Sequence, residues 1–326
     1  LGRKALVTGA GGFIGSHLVE GLVERGYRVR AFVHYNSQGS WHNLDRVAPG
    51  VLSALEVVAG DIADSFSVDR AVEGCDVVFH LAALIGIPYS YVAPSSYVAT
   101  NVTGTLNVLE ACRRHGVARV VHTSTSETYG SAQYVPIDER HPLVGQSPYS
   151  ATKIAADKLA ESFQRSFGTP VVVLRPFNTF GPRQSLRAVI PTVIVQALTR
   201  EALSLGSLEP VRDFTFVSDT VAGFIAAAES ERVVGETVNL GVGAGVSIRE
   251  LVDGIGEILG RRLSVAEDRD RLRPPQSEVT RLVSDNRKAR ELMGWSPAVP
   301  LRAGLERTLA YLREHSHEFR SEQYAI

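Results

Sequence analysis

Tyr149 and Lys153 stand four residues apart in SPYSATK, residues 147 to 153. On a helix that spacing puts both side chains on one face. An ammonium group near a phenol favours phenolate, so the pair predicts a tyrosine able to take a proton near neutral pH. Ser147 is a good helix cap and Pro148 suits the first helical position, so a helix is expected to begin there. Upstream, HTSTSETYG (122 to 130) carries an apolar run into hydroxyl side chains and then one carboxylate, Glu127. Near the start, TGAGGFIGSHL (8 to 18) places Gly9, Gly12 and Gly15 at GxxGxxG spacing. Glycines so spaced between strand and helix permit a tight turn, backbone approach to a pyrophosphate, and close helix-on-sheet packing.

The elements that must position these groups are legible as alternation. Apolar, β-branched runs predict strands at 4 to 9, 28 to 33, 55 to 60, 76 to 82, 119 to 124 and 171 to 176. Between them Ile14, Leu18 and Leu22, then Val102, Leu106, Leu109 and Cys112, then Ile154, Leu159 and Phe163 recur at helical spacing. The expected fold class is α/β: a Rossmann, doubly wound parallel sheet covered on both faces, with a smaller, discontinuous C-terminal substrate lobe. Ligands of such sheets bind at the carboxyl ends of the strands. Residues 1 to 177 are read as the dinucleotide-binding domain and 178 to 326 mainly as the second lobe, with the chain re-entering the first around 214 to 240.

The bulk numbers exclude several classes. The chain has 326 residues, 44% hydrophobic and 21% charged, enough for a full core without disulfide or metal staples. A formal net charge of -1 gives no basic surface for nucleic acid. Cys75 and Cys112 are read as small buried hydrophobes, a usage that fits a reducing cytosol. No basic-then-apolar leader opens the sequence, and no apolar run approaches the ~18 residues of a membrane helix, so a cytoplasmic protein with no membrane partner is expected. His80, His115, His122 and His141 have no ligand-like spacing, and no metal is expected.

The second strand ends in His34, Tyr35, Asn36 and Ser37 rather than the carboxylate that usually holds the adenosine ribose. No arginine occupies those positions either, although Arg30 is near. NAD is the expected cofactor, with NADP left open, and His34, Asn36 and Ser37 face the ribose. Asp61, after the third strand, is assigned to the adenine amino group, because Asp64 or Ser65 serves better as the cap of the next helix.

Together TGAGGFIGSHL, GDI, HLAA, TSTSETYG, YSATK, RPFNTFGPR and a late arginine-rich segment resemble the extended short-chain dehydrogenase/reductase family, in its NAD-dependent sugar-nucleotide epimerase and dehydratase branch. The resemblance spans nearly the whole chain. It implies that Tyr149 takes the O4 proton of a sugar, that Lys153 holds the nicotinamide ribose and the phenolate, and that Thr125 hydrogen-bonds O4. It also implies that Phe13, Ile14, Ile62, Leu81, Ala82, Ala83 and Pro176 join Gly9, Gly12 and Gly15 around NAD.

Oxidation at C4 is the step implied for every member of the branch, and the fate of the 4-keto sugar separates them. The family's 4-epimerases carry S-x-T after the strand, whereas its dehydratases carry T-D-E or T-S-E, with the glutamate as base at C5. Thr125, Ser126 and Glu127 are similar to the second pattern, as in GDP-mannose and N-acetylhexosamine nucleotide 4,6-dehydratases. The strings QYVPIDERHPL, QSPYSATK and RPFNTFGPRQSLRAVIPT most resemble the N-acetylhexosamine group. Ser126 stands where a dehydratase has aspartate, so the proton for the leaving C6 hydroxyl is expected from Glu127 or through water. Uronate decarboxylases also show T-S-E and stay open with 4-epimerases as alternatives. A redox-sensing binder without turnover is a different class, against which intact Thr125, Tyr149 and Lys153 argue.

For the substrate, a UDP- or GDP-sugar, the resemblance assigns Asn178 to the glycosyl phosphate or sugar. Arg187, Arg212 and Arg273 suit a diphosphate through bidentate guanidinium contacts. Pro88 and Ser90 in LIGIPYSY (84 to 91) are candidates for the sugar pocket. Members of the family pair as homodimers through a four-helix bundle, which here corresponds to residues 95 to 115 and 148 to 167.

Overall fold

The computed structural model describes residues 2–268, 271 and 274–316. Six strands run in sequence: β1 (Lys4–Thr8), β2 (Arg28–His34), β3 (Leu55–Gly60), β4 (Val77–His80), β5 (Arg119–Thr123) and β6 (Val171–Pro176). Strand Thr237–Leu240 completes a seven-stranded sheet beside β6, in the order Thr237–Leu240, β6, β5, β4, β1, β2, β3. Every pairing in it is parallel. This is the doubly wound sheet that the alternation predicted, with the strand order turning back between β1 and β4. β3 and β6 match their expected bounds, while β4 stops at His80 because its backbone then turns across Thr8.

Continuous burial along β4 and β6 follows from cover on both faces. One face packs on α1 (Phe13–Glu24) and helix Val217–Glu229, through Leu18, Val19, Leu22, Phe224 and Ile225. The other meets helices Ser65–Val72, Gly104–Arg114 and Pro148–Phe167, through Val68, Val108, Leu109, Cys112 and Phe163. Cys75 and Cys112 are both free and buried.

One helical stripe departs from its spacing. Residues Val98–Thr103 form a π turn ahead of Gly104–Arg114. The extra residue in that turn rotates the helix beyond it, and Leu106 faces outward at 37% exposure, near Val98 at 50%.

Beyond β6 the chain builds a smaller layer. Strand Asn178–Phe180 pairs in parallel with Phe214–Phe216, and Ala202–Leu205 with Ser264–Glu267, beside helices Val189–Thr199, Ile248–Leu259 and Leu301–Glu314. Asp213, fully buried, accepts backbone N–H groups from Val242, Gly243 and Ser284, so one carboxylate gathers two connecting loops. None of the described helices is long and apolar enough to cross a membrane.

Candidate active site

The glycine loop lies at the carboxyl end of β1. Gly9 has φ +69°, and a Cβ there would stand 2.8 Å from the Ala82 backbone nitrogen, so HLAA presses directly on the loop. A Cβ on Gly15 would collide with the Gly9 carbonyl. Thr8 Oγ1 accepts the N–H groups of Leu81 and Ala82, both at 3.1 Å, and thereby ties the ends of β1 and β4. Gly12 caps α1 without any side-chain bond, which leaves the first-turn N–H groups to an anion. These features fit a dinucleotide pyrophosphate. Phe13 and Ile14 are half-buried beside them, and a cleft of about 390 Å³ opens there, lined by Phe13, Asn43, Ile85, Arg183, Gln184 and Tyr311.

At the adenosine end two residues are held by the protein itself. Arg30 donates to Glu56 Oε1 at 2.9 Å and to the Ala71 and Glu73 carbonyls, closing the carboxyl end of helix Ser65–Val72, so it is committed away from any 2′-phosphate. Asn36 is spent on its own loop, donating to the Ser40 carbonyl and accepting the Gln38 N–H. His34 and Ser37 are exposed at this end of the sheet. Asp61 is exposed and accepts the Ala63 N–H, while Asp64 caps the following helix. Ile62 is buried beneath Gly104.

Helix Pro148–Phe167 starts with a Ser147–Ser150 capping box and presents Tyr149 into an aromatic nest with Ile87 and Tyr97, the rings of Tyr97 and Tyr149 meeting edge-on at 6.3 Å. Burial pushes the Tyr149 phenol up; a hydrogen bond with Thr125 pulls it down, and the nearby Glu127 carboxylate pushes it up again. Those neighbours show that Thr125, Glu127 and Tyr149 converge. Glu127 sits on a single 3-10 turn, Ser126–Tyr129, capped by the Thr125 hydroxyl, with Ser126 buried behind it.

Lys153 is buried on the same helix. Its ammonium donates to the Thr123 carbonyl at 2.6 Å and, among the described residues, makes no hydrogen bond to Tyr149. The four-residue spacing puts both on one face, but the lysine stem runs on to the end of β5. Burial lowers its pKa to about 8, opposed by the charge of Asp157.

The remaining candidates divide. Pro176 is buried at the end of β6. Asn178 follows with a buried Oδ1 that has no hydrogen-bond partner among the described residues, an acceptor waiting for a donor. A side chain on Gly86 would meet the Arg187 guanidinium at 3.3 Å, so Arg187 reaches the start of helix Ile87–Val92, in which Pro88 is half-buried. Arg212 is buried and paired with Glu278 at 3.5 Å. Ser90 is a packing residue, its hydroxyl donating to the Ile87 carbonyl at 2.6 Å. Arg273 lies outside the described residues.

Sequence reasoning missed four buried polar residues. Asn101, on the π turn, bonds Leu84 through both its amide atoms and Thr152 through Nδ2, clamping the loop after β4 to the Tyr149 helix. Asp157, Arg175 and Tyr129 form a second buried set, joined through the Arg175 guanidinium. The available signal was a polar residue on an otherwise buried face, which demands a partner.

The sequence profile of the family described as GDP-mannose 4,6 dehydratase matches residues 6–308. The chain is 34% identical to an uncharacterized UDP-glucose epimerase, YtcB, of Bacillus subtilis, over 95% of this chain and 98% of that one. It is 36% identical to a dTDP-glucose 4,6-dehydratase of Streptomyces griseus, over 95% and 94%. Among solved structures, the UDP-glucuronic acid 4-epimerase of Bacillus cereus in complex with UDP-glucuronic acid and NAD superimposes with a TM-score of 0.87 at 30% identity, over 96% of this chain and all of that one.

Proposed function

Because the chain belongs to the NAD-dependent sugar-nucleotide dehydratases and epimerases of the extended short-chain dehydrogenase/reductase family, we propose that it is an NDP-sugar 4,6-dehydratase acting on an N-acetylglucosamine nucleotide. The observation that carries this reading is Glu127, a carboxylate converging with Tyr149 and Thr125. An epimerase needs no such base, since its 4-keto sugar only turns over before reduction.

When bound, NAD supplies the reversible hydride acceptance that makes C4 a ketone and later reduces C6. Tyr149 takes the O4 proton while Thr125 holds that oxygen. The ketone acidifies C5, and Glu127 removes the C5 proton. The same carboxyl then gives a proton to the departing C6 hydroxyl, which leaves as water; Ser126, a far weaker acid, has no such part. Asn178, Arg187 and Arg212 grip the glycosyl diphosphate, and Arg273 is proposed beside them.

The exposed Val98 and Leu106 suit a homodimer in which helices Gly104–Arg114 and Pro148–Phe167 form half of a four-helix bundle. Two free buried cysteines suit a cytoplasmic setting.

The second reading is a 4-epimerase, favoured by the names of the Bacillus relatives. The test is incubation with UDP- and GDP-sugars, N-acetylglucosamine nucleotides included, in deuterated water. A dehydratase yields a 4-keto-6-deoxy product carrying solvent deuterium. A product inverted at C4 with its C6 hydroxyl intact refutes dehydration, and carbon dioxide released from a uronate selects a decarboxylase.

A further inference from the structure

Gln146 is the last residue before the Ser147 cap, and both ends of its side-chain amide are engaged far along the chain. Its Oε1 accepts the Ser131 N–H, two residues past the turn that carries Glu127. Its Nε2 donates to the Gln276 carbonyl at 3.0 Å, 130 positions away in the second lobe. A Cβ on Gly130, at φ +64°, would stand 2.5 Å from the Gln146 amide oxygen, so this side chain fills the bend between Tyr129 and Ser131. The backbone carbonyl of Gln146 accepts the Ser277 hydroxyl at 2.8 Å. That bond uses the only proton Ser277 Oγ has, so the Tyr91 phenol donates to the same oxygen and adds helix Ile87–Val92 to the junction.

Neighbouring bonds run between the same segments. Val144 donates its N–H to the Thr128 carbonyl at 2.9 Å, inside the Glu127 turn, and Ser131 Oγ donates to the Glu278 carbonyl at 3.3 Å. Glu278 turns its carboxylate to the buried Arg212 guanidinium, 3.5 Å away. The strand Val211–Arg212 is held to the residues that follow: the Val211 N–H meets the Thr280 carbonyl at 2.9 Å, and the Leu282 N–H meets the Val211 carbonyl at 3.0 Å. Residues 276 to 282 therefore grip the Arg212 strand at one end and the segments bearing Glu127 and Tyr149 at the other. Ser277 is buried, so water competes little for its two bonds.

We propose that Gln146 and Ser277 are positioning residues: they clasp the two lobes together and hold the Glu127 turn and the start of the Tyr149 helix in register with Arg212. The sugar ring is a fixed length of substrate away from the diphosphate that Arg212 grips, so the register of the clasp decides whether C4 and C5 meet Tyr149 and Glu127. A small misplacement of reacting groups is costly in rate even where binding is kept. This inference rests on the proposed roles of Arg212, Glu127 and Tyr149 but not on which sugar nucleotide is turned over.

The test variants are Gln146→Leu, which removes both amide contacts at similar size, and Ser277→Ala, which removes one hydroxyl. In single-turnover stopped flow of the NAD-loaded enzyme with UDP- and GDP-sugars, the rate constant of cofactor reduction is expected to fall roughly tenfold in each. The amplitude per folded site stays, and so does the steady-state KM, because Glu278 still holds Arg212. Residues that served stability alone would lower the amplitude and leave the rate constant in place, and that result overturns the proposal. Amide hydrogen exchange of the NAD-loaded protein needs no turnover. Ser277→Ala is expected to speed exchange at Ser131 and Val144, neither of them its neighbour in sequence, and unchanged protection at both overturns the clasp. If Gln146→Leu is not recovered folded, Ser277→Ala decides alone. A wild-type protein that reduces its cofactor with no sugar nucleotide would refute the proposed activity, and the exchange experiment still decides the clasp.

Discussion

The Thr125 hydroxyl accepts the Glu127 backbone N–H at 3.2 Å, and the same threonine draws the Tyr149 phenol pKa down against the upward push of burial. One small side chain thus acts on both the group proposed to work at O4 and the group proposed to work at C5. Thr125→Val removes the cap and the phenol contact together, while Thr125→Ser keeps both. Steady-state kinetics should show kcat reduced roughly ten- to a hundredfold in the valine variant, from hydrogen bonds worth about 1–3 kcal/mol, and near wild-type turnover in the serine variant. Equal losses in both would refute the hydroxyl's role.

Glu127→Gln separates the two halves of the reaction. The amide cannot take the C5 proton, so elimination should fall by roughly 10²–10⁴. C4 oxidation persists and is seen in stopped flow as transient absorbance of reduced cofactor. Loss of that transient as well would make Glu127 a structural residue, since a base at C5 has no part in the first oxidation.

Lys153 couples stability to pH in a direction opposite to most ion pairs. Its folded pKa of about 8 lies below the ordinary 10.5, so the unfolded chain holds a proton that the fold releases between those values. The penalty is complete below pH 8 and is relieved as pH rises towards 10.5. Lys153→Met should therefore unfold at higher temperature than the wild type at pH 7, by up to about 3 kcal/mol, while losing activity. The advantage should shrink at pH 9.5 as the native lysine sheds its charge. A methionine variant less stable at pH 7 would show that the Thr123 contact outweighs the desolvation.

The candidate site segments were legible because each is local. The glycine spacing of Gly9, Gly12 and Gly15 specifies a backbone turn whatever surrounds it, as the positive φ at Gly9 and the uncapped start of α1 bear out. Ser147 and Pro148 likewise announce a helix start from their own chemistry. The strands were read from apolar runs because a sheet covered on both faces leaves no polar position in its centre.

The sequence by itself determined the elements and the residue types at their ends, because periodicity and capping act over a few residues. Tertiary structure alone decided what those residues meet. Arg30, near the end of the second strand, is held by Glu56 and the carbonyls of Ala71 and Glu73. Lys153 shares a helix face with Tyr149 and donates to the Thr123 carbonyl, a contact across 30 positions that spacing could not announce. Arg175 joins Asp157, 18 positions away, and Tyr129, 46 positions away. Charge interactions depend on distance in space and on exclusion of water, and both are set only when distant strands and helices close on one another.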